Sequence, residues 1–293
     1  MKRTDHQPVA YLFILPWIIG FLIFQLYPFV ASFVYSFTDF SLLKSMKFVG
    51  FKNYVQMFTR DRVFYKSLWA TVKYVLIAVP GKLVFALIIA MILNMKLKCI
   101  NFYRTVYYLP SILGGSVAIS ILWKFLFSKN GTVNTFLAHL HIPALDWLGS
   151  PNLALVTMGL LVVWQFGSSM IIFAAGLKEI PGSYYEAAEI DGANKWQRFL
   201  SITLPCLSPI ILYNLVMQTI TAFMAFTQAF VITQGGPNDA TNFYALYVYN
   251  HAFKWSNMGY ASAMSWLMLV LISVITLILF KSSKFWVFSE ADQ

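Results

Sequence analysis

Six long apolar stretches constrain the fold of this chain more than any other feature. An α-helix needs roughly 20 mainly apolar residues to cross the hydrocarbon core of a bilayer, and each stretch reaches that length. Helices and closed barrels are the structures that span lipid, because every backbone polar group must find its hydrogen-bond partner within them. The stretches cover about residues 10–37, 68–95, 105–127, 153–177, 204–232 and 258–281. They predict an all-α membrane protein with six transmembrane helices.

The charged residues of the chain are few and scattered. They make up 11% of the 293 residues, whereas a soluble domain carries about 25%. The formal net charge of +10 comes from Lys and Arg residues spread between the apolar stretches, a pattern that favours anionic lipid headgroups over nucleic acid as the partner. No internal repeat is evident, and no loop is long enough for a soluble domain. We therefore expect a single transmembrane domain over residues 1–293.

A mostly polar segment separates the fourth apolar stretch from the fifth. Ser183 followed by Glu186 fits a capping box, which predicts a short helix that begins near Tyr184. Gly192 supplies a left-handed residue that ends this helix, and a second short helix is predicted from about residue 194 to 200. The residues alone leave two alternatives open: an ordinary turn between two membrane helices, or a knob that meets a soluble partner.

This polar segment resembles, at its defining positions, the cytoplasmic coupling motif of the permeases of binding-protein-dependent ABC importers. The matching residues are Glu186, Ala187, Ala188, Gly192, Ile202, Leu204 and Pro205. In that family the motif forms coupling helices that sit in a cleft of a cytoplasmic ATPase subunit. The resemblance implies a type I ABC importer permease fold, with a coupling loop at about 178–205. The residues it implies for ATPase coupling are Glu186, Ala187, Ala188, Asp191, Gly192, Ala193, Ile202, Leu204 and Pro205.

Other motifs resemble those of sugar permeases of the maltose, lactose and glycerol-phosphate type. They are Phe-Val-Gly-Phe-Lys-Asn-Tyr at 48–54, Phe-Tyr-Arg-Thr at 102–105, Leu-Pro at 109–110, and Thr-Gln-Gly-Gly-Pro at 233–237 with Thr241. The Gly-Gly-Pro loop and the tail at 285–288 are similar to the first member of the usual permease pair. The resemblance implies a permease subunit that forms half of the pathway of an ATP-driven carbohydrate importer, which takes up oligosaccharides or sugar derivatives.

The resemblance also implies the partners and the orientation. The expected partners are a second homologous permease, two cytoplasmic ATPase subunits and an extracytoplasmic solute-binding protein. A heterodimer of permeases is favoured, and a homodimer stays open. The Lys and Arg residues of the loops are almost evenly divided between the two sides, so the positive-inside rule decides nothing. A loop that meets an ATPase must be cytoplasmic, which places both termini inside, in a bacterial plasma membrane.

The chain lacks the sequence signature of an ATPase. No Gly-x-x-x-x-Gly-Lys-Ser/Thr motif is present, since Gly81-Lys82 is followed by Leu83 inside an apolar stretch. The four histidines show no zinc or nucleophile arrangement, and Cys99 and Cys206 have no metal-ligand spacing. We therefore expect no catalytic residue, no metal site and no cofactor in this chain, with ATP and Mg bound by the partner ATPase subunits.

Polar residues within the apolar stretches predict the substrate path. On the fifth stretch they recur at helical spacing, at Asn214, Gln218, Thr221, Ala225 and Gln228, and the fourth adds Trp164, Gln165 and Ser168. Such residues either join helices by hydrogen bonds worth about 1 kcal/mol each or face a watery path. We favour Trp164, Gln165, Ser168, Asn214, Gln218 and Thr221 as the substrate path, because amides bond sugar hydroxyls as donors and as acceptors.

Lys82 lies near the middle of the second apolar stretch, where such permeases are expected to be apolar. A charge at this depth costs about 2.5–3.5 kcal/mol, and it marks a functional site by default. Three explanations are open: snorkelling to the interface, pairing with an acid on a partner chain, or facing the substrate path. Our hypothesis is the third, with an acidic sugar, a uronate oligosaccharide or a sugar phosphate, as the substrate.

A secondary carrier driven by an ion gradient is the alternative function. Such a carrier would need carboxylates within the membrane to relay protons or sodium ions. None of the six apolar stretches contains an Asp or Glu residue. The sequence therefore favours the ATP-driven importer.

Overall fold

The described part of the chain consists of helices joined by short turns. A computed structural model describes residues 8–41, 45–95 and 99–288. Within those ranges Thr38 pairs with Phe48 in an isolated β-bridge, and no β-strand occurs. The prediction of an all-α protein is confirmed. Both chain termini, for which the resemblance implies a cytoplasmic location, lie outside the described residues.

Fourteen α-helices occur within the described ranges. They are α1 Pro8–Phe21, α2 Tyr27–Ser36, α3 Lys52–Thr59, α4 Arg62–Ile92, α5 Ile100–Leu113, α6 Val117–Leu126, α7 Thr132–His139, α8 Pro151–Trp164, α9 Gly167–Glu179, α10 Gly182–Ile190, α11 Lys195–Arg198, α12 Leu204–Phe223, α13 Tyr244–Tyr249 and α14 Met258–Ser283. Short π-helical turns extend several of them, at Leu22–Leu26, Phe199–Thr203, Ala229–Thr233 and Asn250–Lys254.

Four helical segments of the described chain are long and apolar enough to cross a membrane. They are Leu12–Ser36, Arg62–Ile92, Lys195–Phe223 and Met258–Ser283. Two further segments pass only as bent pairs, α5 with α6 at an angle of 100° and α8 with α9 at 47°. The described chain therefore contains up to six spans, if each bent pair counts as one.

The third, fourth and fifth apolar stretches differ from the single helices predicted for them. The third is interrupted at Gly114-Gly115 and restarts at Ser116, whose hydroxyl accepts a hydrogen bond from the Ile119 amide at 3.2 Å. That N-cap starts a new helix in a new direction. The fourth is interrupted between Trp164 and Gly167. The helix of the fifth stretch ends at Phe223 rather than near 232, but it begins earlier than predicted, at Lys195, because a π-helical turn joins α11 to α12.

The chain divides into two compact units. The first contains the described residues up to Asp61 together with Val248–Val270. The second contains Arg62–Tyr247 together with the described residues from Leu271 onward. Our expectation of a single domain over residues 1–293 stays a prediction.

The first unit is held together by buried polar contacts. The Asn53 amide donates to the carbonyl oxygens of Ser36 and Thr38 at 2.9 and 2.8 Å, which fixes α3 against the end of α2. The Tyr260 hydroxyl donates to Asp61 Oδ2 at 2.5 Å. These bonds satisfy polar groups that would be costly to bury without partners.

The core of the second unit is built around α4. This helix packs against α8, α9 and α12, and its fully buried alanines, Ala78, Ala86 and Ala90, allow the neighbouring backbones to approach. Gly159 on α8 serves the same purpose, since a Cβ atom there would lie 3.2 Å from Ile77 Cγ2. Small residues at helix contacts are the usual device by which membrane helices pack closely.

Candidate functional site

The polar segment between the fourth and fifth stretches forms a helical hairpin, α10 followed by α11. Gly192 ends α10 with φ +78°, a left-handed conformation that L side chains rarely adopt. The amide of Ala193 then donates to Ala188 O at 2.9 Å, which closes the turn. Two predictions are confirmed: Gly192 ends the first short helix in a left-handed conformation, and a second short helix follows.

The predicted capping box at Ser183 and Glu186 is wrong. Helix α10 begins at Gly182, so Ser183 lies inside the helix, and no side chain caps its start. The reason is Pro181, whose ring fixes φ near −60° and sets the chain for a helix that begins directly after it. The Tyr184 amide donates to the Pro181 carbonyl instead, at 3.2 Å.

A capping box is present at the second helix of the hairpin. The Asn194 side chain accepts from the Gln197 amide at 2.9 Å, and Gln197 Oε1 accepts from the Asn194 amide at 2.8 Å. Arg198 Nη1 donates to Glu189 Oε2 at 2.9 Å, which joins α11 to α10. The hairpin is therefore stabilised by hydrogen bonds that its own side chains make.

The two most exposed large apolar side chains of the hairpin are ones that sequence reasoning missed. Ile190 is 87% exposed and Trp196 is 66% exposed. They flank the turn at Gly192, and exposed apolar side chains rimmed by polar ones are typical of a protein interface. Their hydrophobicity within an otherwise polar segment is the feature by which the sequence could have identified them. Of the predicted coupling residues, Glu186, Ala187, Asp191 and Gly192 are exposed, and Ala188, Ala193, Ile202, Leu204 and Pro205 are half-buried.

A cavity of about 210 Å³ lies within the second unit. Its wall combines α4, the bend between α5 and α6, the end of α8, and α12 with the turn that follows it. The structure brings these sequence-predicted residues together on that wall: Lys82, Gln165, Gln218, Thr221, Ala225 and Gln228. Gly114 and Gly115 line it as well.

The two bent helix pairs meet at the cavity. Gln165 Nε2 donates to the Gly114 carbonyl at 2.7 Å, and Ser111 Oγ donates to the Gln165 carbonyl at 2.9 Å. A Cβ atom at Gly114 would overlap the Gln165 side chain, and one at Gly167 would lie 2.6 Å from the Tyr107 carbonyl oxygen. The glycines therefore permit the contact that holds both bends in place.

The polar side chains of the cavity wall are joined in pairs. Lys82 Nζ donates to Gln218 Oε1 at 2.8 Å, and Lys82 is only 7% exposed. Gln228 Nε2 donates to the hydroxyl of Tyr74. Sequence reasoning missed Tyr74, although it precedes Lys82 by about two helical turns on the same helix. One hydrogen bond joins α4 to α12, and the other joins α4 to the segment that follows α12.

Three residues predicted for the substrate path lie away from this cavity. The Trp164 ring lies against Trp123, with 5.9 Å between the ring centroids. The Ser168 amide donates to Ser111 Oγ at 3.0 Å, which fixes the start of α9. Asn214 is buried and donates to the Ile210 carbonyl of its own helix at 3.1 Å. Their substrate contacts stay a prediction.

Comparisons with known proteins agree with these features. The model of the family "binding-protein-dependent transport system inner membrane component" matches residues 17–285. The chain is 53% identical to the probable ABC transporter permease protein YesP of Bacillus subtilis, over 99% of this chain and 95% of the relative. It is 34% identical to the arabinooligosaccharides transport system permease protein AraP of the same organism, over 95% and 90%.

A third relative and one solved structure extend the comparison. The sulfoquinovosyl glycerol transport system permease protein SmoG of Agrobacterium fabrum is 36% identical, over 92% of this chain and 88% of the relative. The crystal structure of a bacterial ABC transporter involved in the import of the acidic polysaccharide alginate superposes with a TM-score of 0.83. That alignment is 23% identical and covers 94% of this chain and 95% of the other. The predicted importer permease fold is thereby confirmed.

Proposed function

The chain belongs to the family of binding-protein-dependent transport system inner membrane components, and from this premise we propose that it forms half of the pathway of an ATP-driven importer for oligosaccharides or sugar derivatives. Family membership makes it a multi-pass membrane permease that works with a binding protein and partner subunits. The alternative of a secondary carrier is thereby wrong.

Carbohydrate is the substrate class that the relatives and the cavity support. The names of AraP and SmoG describe the transport of arabinooligosaccharides and of a sulfoquinovosyl glycerol. The cavity wall of this chain offers the amides of Gln218 and Gln228 and the hydroxyls of Tyr74 and Thr221. These groups bond sugar hydroxyls as donors and as acceptors.

The hairpin of α10 and α11, which lies within the predicted coupling loop at 178–205, binds the ATPase in this proposal. A single helical segment, Lys195–Phe223, carries α11 at one end and the cavity residues Gln218 and Thr221 near the other. From Lys195 to Gln218 this segment rises about 35 Å. Because the segment is continuous, a displacement of the hairpin displaces the cavity wall. This continuity is the observation that carries the proposal.

The remaining partners complete the transport cycle. A second permease, in a heterodimer rather than a homodimer, supplies the other half of the pathway. Two ATPase subunits in the cytoplasm bind ATP and Mg and perform the hydrolysis, which this chain does not catalyse. The solute-binding protein delivers the sugar from outside, and both chain termini lie in the cytoplasm.

Uptake by the reconstituted importer tests this function. The chain, its second permease, the ATPase subunits and the binding protein would be placed in liposomes with oligosaccharides outside. We expect uptake that requires internal ATP and the binding protein. Uptake that proceeds without ATP when a proton or sodium gradient is imposed would contradict the proposal.

A further inference from the structure

The positive charge of Lys82 has no balancing carboxylate in the described part of the chain. Lys82 is 7% exposed, and its hydrogen bond goes to the neutral amide of Gln218 at 2.8 Å. The described ion pairs are Lys66 with Asp239 and Arg198 with Glu189, so neither involves Lys82. An ammonium group offers three donors, of which Gln218 occupies one.

Snorkelling does not explain this lysine. Lys82 lies ten residues before the end of α4 and further from its start, and a snorkelling side chain would extend toward one of those ends. The ammonium is bonded to Gln218 on a neighbouring helix, and the residue lines the cavity. Its charge is therefore presented to whatever occupies the cavity.

The rest of the cavity wall is neutral and combines polar with apolar side chains. Tyr74, Gln165, Thr221 and Gln228 supply hydroxyl and amide groups, and no carboxylate is among the residues that line the cavity in the described chain. A neutral substrate would leave the lysine charge unbalanced at every turnover. An oxyanion on the substrate would balance it and would accept the donors that Gln218 leaves available.

We propose that Lys82 and Gln218 form a site for the anionic group of a negatively charged carbohydrate, with the carboxylate of a uronate as the leading form. Gln218 orients the ammonium, and the ammonium binds the oxyanion. This inference rests on the proposed function, because it assumes that the cavity lies on the sugar path.

The main pair of probes, uronate oligosaccharides and their carboxyl-reduced forms, keeps the same sugar skeleton and differs in charge. Oligosaccharides released from pectin and alginate carry uronates, and reduction of their carboxyl groups converts each uronate to a neutral hexose. Glucose 6-phosphate serves as the phosphate probe, and maltotriose as the unrelated neutral probe. The binding protein is the same in every assay, so any difference between variants of this chain arises in the permease.

Wild-type importer is expected to take up the uronate oligosaccharides and to discriminate against their reduced forms. Lys82→Met should lower uronate uptake roughly 30-fold or more, the usual loss when one partner of a buried charge pair is removed. Lys82→Arg, which keeps the charge, should restore most of the uptake. Gln218→Glu should cause a similar loss without removing the lysine, because the new carboxylate would pair with Lys82.

Distinct outcomes separate this inference from the proposed function. ATP-dependent uptake of neutral probes alone, or uronate uptake that Lys82→Met leaves unchanged, would overturn the inference and leave the proposed function standing. Uptake of glucose 6-phosphate in place of uronates would keep the anion site and replace the carboxylate by phosphate. Loss of the second permease from purified Lys82→Met would assign the lysine to an acid on that chain, which also overturns the inference. Failure to take up any probe with ATP would overturn the proposed function itself.

Discussion

The hairpin of α10 and α11 and the cavity wall hold their polar side chains in opposite ways. In the hairpin the partners are close in sequence, as with Asn194 and Gln197 or Glu189 and Arg198. In the cavity the partners are far apart, as with Lys82 and Gln218. A locally braced hairpin moves as one body, whereas a wall assembled from distant helices changes shape when those helices shift. This difference fits the proposed function, in which the hairpin receives a force and the cavity responds to it.

The largest expected effect concerns the apolar surface of the hairpin. Trp196→Ala should weaken attachment of the ATPase subunits by about 2 kcal/mol or more, since exposed tryptophans are common binding hot spots. Copurification of the ATPase with the permease measures this loss. Trp255→Ala is the matched control, because Trp255 is 51% exposed and lies outside the hairpin. Equal ATPase recovery from both variants would show that the hairpin surface does not bind the ATPase.

A change at the bend tests the non-local assembly of the cavity. Gly114→Ala should lower stability by about 1–3 kcal/mol, because the added methyl group overlaps the Gln165 side chain that bonds to the Gly114 carbonyl. Thermal unfolding of the purified permease measures the change. Gly115→Ala is the control, since no atom lies within 4 Å of its added Cβ. The same melting temperature for both variants would contradict the close contact between the bends.

A change at the turn tests the local bracing of the hairpin. Gly192→Val should cost about 1–2 kcal/mol in forming the turn, because a β-branched residue is strained at φ +78°. Gly192→Asn should be tolerated better, since asparagine enters the left-handed region more readily. ATP-dependent uptake should fall in the valine variant while membrane insertion stays intact. If both variants transported equally, the shape of the turn would not matter for coupling.

The smallest effect belongs to the ion pair of the hairpin. Glu189 is 72% exposed at its side chain, so its bond to Arg198 should contribute only about 0.2–1 kcal/mol. A double-mutant cycle with Glu189→Gln and Arg198→Gln, read by ATPase affinity, measures the coupling. A coupling energy well above this range would mean that the pair is shielded from water when the ATPase is bound.

The same contrast explains what the sequence could predict. Gly192 and the helix after Asn194 were predictable, because caps and left-handed turns depend on residues within one turn. The capping box predicted at Ser183 is wrong because Pro181, two residues earlier, sets the helix start by its own fixed φ. The helical spacing of Gln218, Thr221 and Gln228 located one side of the cavity. Lys82 and Tyr74, the partners of Gln218 and Gln228, lie on another helix, and spacing along a single helix contains no information about such contacts.

The bends in the helix pairs also depend on contacts that the sequence does not predict. Gly114-Gly115 indicates close helix approach, but the residue that approaches is Gln165, which lies 51 residues away in sequence and bonds to the Gly114 carbonyl. Trp164 was assigned to the substrate path by its residue type. The structure places it against Trp123 instead. Large aromatic residues next to a polar stripe serve packing as readily as binding, and the choice depends on which helix is adjacent.

One labelling measurement tests most directly whether force on the hairpin reaches the cavity. Thr221→Cys, in a chain with Cys99 and Cys206 replaced by serine, places a thiol on the cavity wall. Its rate of reaction with a membrane-impermeant maleimide would be measured in the reconstituted importer with and without ATP. We expect ATP to change this rate and Gly192→Val to reduce the change. A rate that is the same in both nucleotide states would contradict this expectation.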